Sequence, residues 1–267
     1  MRQDLQATWK KEIMSATYAD PVLFMRTFLP HWFGKKMPWV HRGVLAIVLR
    51  QTDFLLNYGE EQWPQEVGVW TEAEVERIVQ FFVWKSSPEA EPIHLFRWEE
   101  WEFPGEDEPR RRLILSITNN TQVVMPRGFS KTTLLNGANI YKTVFKLRKF
   151  LVYISETATH ANKQLDNIKR ELTSNDAILR VFGVQKPQRN DDEIWRQDFF
   201  ETTGGVAFVA RGRGGQVRGL IHNGHRPDDI TLDDVEDQES VTTPEQRQKT
   251  KDWLWGDVMP AGNQITK

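Results

Sequence analysis

One short segment, Met125 to Thr133 (MPRGFSKTT), limits the fold of this chain more than any other. Gln122 to Met125 read as a strand, Pro126 to Ser130 as a tight loop, and Lys131 to Phe145 as a helix. That order suits the capture of phosphate groups. Loop N–H groups and a helix N-terminus hold the oxygens, a lysine neutralises them, and a hydroxyl ligates Mg²⁺. Gly128, Phe129, Ser130, Lys131, Thr132 and Thr133 are therefore the candidate contacts to ATP, with Thr132 also a candidate metal ligand. The spacing departs from the standard one: Met125 stands at the first glycine position and Ser130 at the one before the lysine. Serine is small enough for close approach of backbone to phosphate provided its φ is negative. By itself the segment also fits an ordinary strand-turn-helix.

The remaining chain supplies a context. Residues 2 to 57 read as helical, with Leu5, Trp9, Ile13 and Met14 at helical spacing and Asp20–Pro21 and Leu29–Pro30 as punctuation. Residues 59 to 108 carry fourteen acidic residues against Arg77, Lys85 and Arg97, which predicts a solvated insertion or peripheral subdomain. The texture changes at Arg110. Runs at 111–117, 121–125, 149–155, 194–201, 206–210 and 229–232 have strand character, and helical runs lie between several of them. Thr203–Gly204–Gly205 predicts a hairpin. The expected fold is α/β, a mostly parallel sheet with helices on both faces over 111–267, preceded by a helical subdomain over 1–110.

Two further segments carry chemistry. Asp229 to Asp237 (DITLDDVED) is a short strand ending in carboxylates. ATPases place such an acid at a strand end to hold Mg²⁺ and a second beside it to polarise water. Asp233 is the candidate metal residue and Asp234 the candidate base, with Glu236 its competitor. Upstream, Ala210 to Gly219 (ARGRGGQVRG) combines glycines that admit a phosphate with arginines that neutralise one. Arg218, nearest the acidic strand, is the first candidate for an arginine finger; Arg211 and Arg213 are alternatives. Net charge is −2, so composition does not advertise nucleic-acid binding. Cysteine is absent, excluding disulfides and thiolate metal sites, and no apolar run reaches membrane-span length. A soluble intracellular protein is expected.

Together PRGFSKTT (126–133), ARGRGGQVRG (210–219) and RPDDITLDDVED (226–237) resemble the ATPase domain of tailed-phage terminase large subunits. The run from Asp20 to Phe33 and the segment Pro38 to Gly43 look like that family's N-terminal region. The resemblance implies a RecA-like P-loop NTPase fold and ATP hydrolysis with Mg²⁺, driving double-stranded DNA into a procapsid. It implies that Arg127 contacts the γ-phosphate from the same subunit, that Arg218 acts in trans within a homo-oligomeric ring, and that Trp39 and His41 lie at the adenine pocket. The implied partners are DNA, the portal protein and the small terminase subunit, in the host cytoplasm with no membrane. The family's coupling motif and nuclease domain are not found within the 267 residues, so a piece of a longer protein without nuclease activity is expected. The alternatives are a helicase-like remodelling ATPase and a non-hydrolysing DNA-binding or assembly module.

Overall fold

A computed structural model describes residues 2–52, 55, 72–84, 89, 91, 93–101, 110–115, 123, 125–188, 194–237 and 241–262. The chain divides into two compact units, Met1–Phe129 and Ser130–Lys267. The division falls inside the lysine loop, later in the chain than the change of texture at Arg110.

The first unit begins with four helices: α1 (Arg2–Ala19), α2 (Pro21–Phe28), α3 (Pro30–Phe33) and α4 (Trp39–Leu49). The punctuation seen in the sequence sets their ends. Pro21 and Pro30 open α2 and α3, where a missing N–H costs nothing. Asp20 caps α2 by accepting from the N–H groups of Val22 (2.8 Å) and Leu23 (3.1 Å). Phe24, Met25, Phe28, Leu29 and Leu45 fill the core of this unit. The acidic block is partly regular structure. It contributes α5 (Glu72–Phe81), the two-residue strands β1 (Val83–Trp84) and β2 (Ile93–His94), and β3 (Phe96–Trp101). Ile78 and Phe96 are fully buried, so this part has a core and is not only a solvated face. Strand β4 (Arg110–Leu115) pairs antiparallel with β3, from Phe96↔Leu115 to Trp101↔Arg110. It therefore belongs to a small separate sheet and not to the parallel one expected to begin there. The strand expected at Gln122–Met125 falls largely outside the described residues, and Val123 and Met125 themselves lie in no strand.

The second unit is a mixed α/β layer structure. Its helices are α6 (Lys131–Val144), α7 (Ala158–Ser174), α8 (Asp176–Phe182) and α9 (Pro244–Trp253). Its strands are β5 (Phe150–Ser155), β6 (Phe199–Glu201), β7 (Ala207–Gly212) and β8 (Asp229–Leu232), in the order β6-β7-β5-β8. β5 runs parallel to both β7 and β8, while β6 closes the hairpin onto β7 in the antiparallel sense. All six residues of β5 are buried, as expected of a central parallel strand covered on both faces. Phe150, Val152 and Ile154 join Ala207, Val209, Val217, Val258 and Ala261 in one cluster, so the C-terminal segment after α9 covers that face. Helix α7 packs on β5 and β7, and α6 packs on α7. Among the described residues, no helix is long and apolar enough to cross a membrane.

Polar contacts fasten α6 to β8 near both ends of each. Lys142, near the C-terminal end of the helix, donates to Asp229 Oδ2 at 2.7 Å, both side chains being almost fully buried. Arg148 approaches the same oxygen at 3.6 Å. At the other end Thr132 donates to Asp233 Oδ2 at 2.7 Å. Ten helical residues span about 15 Å and four strand residues about 13 Å, so the antiparallel helix and strand match in length. Replacing Lys142 by alanine leaves a buried carboxylate poorly compensated, with an expected loss of about 3–5 kcal/mol in denaturant unfolding. The double replacement Lys142→Met with Asp229→Leu should recover most of it. A double variant as unstable as the single one would show that packing, not charge, sets the cost.

Candidate functional site

The lysine loop is a turn followed at once by a helix. Phe129 N–H donates to Pro126 C=O at 3.4 Å, Gly128 has φ +88°, and Ser130 is the N-cap of α6. Ser130 has φ +52° and ψ +31°, the left-handed conformation. The condition stated for close approach, a negative φ, is therefore not met. The position where the standard motif has glycine keeps the backbone shape that glycine adopts freely, and serine carries it at a cost of about 1–2 kcal/mol. Ser130 C=O accepts from Leu134 N–H, and its side chain makes no capping bond. Lys131, Thr132 and Thr133 are thereby the first three residues of α6, half-buried, with the orphan N–H groups and positive end of the helix dipole.

Asp233 follows directly on β8 and is buried. Its N–H donates to Ile154 C=O, extending the β5–β8 ladder by one residue. Its Oδ2 accepts two hydrogen bonds, from Thr132 Oγ1 at 2.7 Å and from the Tyr153 phenol at 2.9 Å. The hydroxyl of the lysine loop and the carboxylate of the acidic strand, 101 residues apart, are thus in direct contact. Burial, and then the neighbouring Asp233 carboxylate, push the Tyr153 phenol well above its usual value.

Beyond Asp233 the chain turns sharply. Asp234 is exposed with φ +47°, and its C=O accepts from Glu156 N–H at 3.0 Å. Glu236 is exposed two residues later. The glycine-arginine loop reaches this turn through Arg213, whose guanidinium donates to Val235 C=O and to both carboxylate oxygens of Asp237 at 3.2 and 3.4 Å. Arg211 donates to the Ala210 and Gln216 carbonyls and lies 3.6 Å from Asp198 Oδ2. Arg218 is exposed and, among the described residues, has no side-chain partner. Of the three arginines it alone is uncommitted. At the end of β7 a Cβ on Gly212 would lie 2.6 Å from Ala158 N, so glycine lets the loop lie against the start of α7. A cavity of about 360 Å³ opens there between Glu156, Thr157, Asn162, Asp198, Arg211 and Arg213. Its two arginines and two carboxylates balance in charge.

Arg127, Gly128, Phe129, Trp39 and His41 belong to the first unit. Within it His41 Nε2 lies 2.9 Å from Phe129 C=O, and the two rings meet edge to face. Trp39 meets Phe81 edge to face at 5.0 Å, a packing role. Arg127 and Phe129 are exposed. Among the described residues, no three His, Cys, Asp or Glu side chains converge as a metal cage.

No protein-family model matches the chain, and neither a curated protein nor a solved structure matches it. Geometry alone therefore identifies the residues that sequence reasoning missed. Tyr153 was hidden because β5 reads as uniformly apolar or aromatic; a phenol on a central buried strand, which must find a partner, was the available signal. The Lys142–Asp229 pair had no local pattern to reveal it.

Two outcomes are expected. Ser130→Gly should raise unfolding free energy by about 1 kcal/mol by removing left-handed strain, read from the urea midpoint; a drop would show that the serine hydroxyl holds the loop. Arg213→Ala should lower stability by about 1 kcal/mol, whereas Arg218→Ala should leave the melting curve unchanged within about 0.5 kcal/mol.

Proposed function

We propose that this chain is the ATPase part of a DNA-packaging motor of the terminase large-subunit type, with a RecA-like P-loop core. The observation that carries the proposal is the Thr132–Asp233 hydrogen bond, 2.7 Å long, which joins the phosphate-loop candidate to the acidic strand. Nothing in the sequence between them requires it, yet a magnesium nucleotide site needs that hydroxyl and that carboxylate side by side. The fit to the metal is chemical. Both groups are hard oxygen donors, and Mg²⁺ takes few protein ligands when phosphate oxygens and water complete its shell. When bound, it would neutralise charge on the phosphates.

In the proposed reaction Lys131 and the first N–H groups of α6 hold the β- and γ-phosphates. Water attacks the γ-phosphorus in line, the bond to the bridging oxygen breaks, and ADP and phosphate leave. Asp234, or Glu236 in its place, accepts the hydrogen bond that orients the water. Arg218, uncommitted and exposed, serves a neighbouring subunit's ATP. Double-stranded DNA, a portal ring and a small terminase subunit are the proposed partners, in the host cytoplasm.

Calorimetric titration with ATP and Mg²⁺, paired with phosphate release, tests this. Lys131→Ala should lose binding. Asp234→Asn and Glu236→Gln should both retain it, and whichever loses turnover by at least about 100-fold is the base. Binding without turnover in the wild-type chain supports the non-hydrolysing assembly module instead. No ATP binding, or unchanged binding by Lys131→Ala, overturns the proposal.

A further inference from the structure

Asp233 Oδ2 is unusual in accepting two side-chain hydroxyls at once. Thr132 comes from α6 at 2.7 Å and Tyr153 from β5 at 2.9 Å. Tyr153 is 1 % exposed, and its backbone is fixed on both sides, opposite Ala210 of β7 and Thr231 of β8. Its phenol therefore has little freedom to leave the carboxylate. Two donors from different directions on one oxygen restrict rotation of the carboxylate. Thr132 has a single proton, and that proton is given to Asp233, so both lone pairs of its oxygen remain for a cation. The orientation of the threonine thus depends on that of the carboxylate, and the carboxylate depends on the tyrosine.

We propose that Tyr153 is a positioning residue for magnesium, fixing the Asp233 carboxylate and through it the Thr132 hydroxyl. This rests on the proposed ATPase site. Tyr153 touches neither nucleotide nor metal. It acts as an outer partner of a ligand, and such partners change metal affinity or activity by about 10- to 100-fold when removed.

The test is a magnesium titration of nucleotide binding, followed with a fluorescent ATP analogue, on wild type, Tyr153→Phe and Tyr153→Leu. Tyr153→Phe removes only the oxygen. It should raise the Mg²⁺ concentration for half-maximal binding by about 10-fold, while nucleotide affinity in EDTA and the melting temperature stay close to wild type. Tyr153→Leu should show the same magnesium shift with an added loss of stability. If Tyr153→Phe titrates like wild type, or only the leucine variant shifts, the ring packs and does not position, and the inference fails while the ATPase proposal stands. A wild-type chain with no magnesium-dependent nucleotide binding overturns both. Should the variants not fold, 3-fluorotyrosine at position 153 gives a second reading in the otherwise native chain. Its ¹⁹F resonance should move when Mg²⁺ and nucleotide are added together and not with nucleotide in EDTA; an unmoved resonance overturns the inference.

Discussion

The second unit depends on how α6 is tied to β8. Two polar contacts fasten them, Thr132 to Asp233 and Lys142 to Asp229, each 2.7 Å long. The Lys142 pair is buried at the end away from the loop, where its desolvation demands close complementarity and the contribution of Arg148. The Thr132 contact lies where the loop delivers the helix. Because helix and strand are both rigid, fixing one end restricts the other. The structural ion pair thereby helps place the hydroxyl that the candidate site needs.

Much of this was legible in the sequence, element by element. The β-branched and aromatic run of β5, the Pro21 and Pro30 starts of α2 and α3, and the glycine hairpin between β6 and β7 all follow from local rules that the chain obeys. Strand β4 did not, because an apolar run of strand length carries no label for its partner. Its mate β3 sits inside a block whose acidic composition concealed the buried Ile78 and Phe96. The acidic strand was legible as a strand, and naming Thr132 and Asp233 as ligands of one metal implied that they meet; the direct hydrogen bond between them was not legible, since contacts across a hundred residues leave no trace in spacing.

Ser130 shows where a local rule and the fold disagree. Serine suits close backbone approach at a negative φ, because its side chain is strained in the left-handed region. The fold demands a left-handed residue at the cap of α6 and obtains it from serine. Arg213 shows the same limit on a different scale. Three arginines in one glycine-rich loop are equivalent as letters, and only the fold distinguishes the one clamped to Asp237 from the one left exposed.

Strand β6 has a consequence for how copies of this chain can meet. It is three residues long and antiparallel on the outer side of β7. Its outer side is also partly taken, since Trp195 bridges Phe200 and Glu201 N–H donates to Ile194 C=O, so that flank gives a neighbouring polypeptide almost no row of free amides on which to lengthen the sheet. Association on that flank must therefore rely on side chains, which separate again readily.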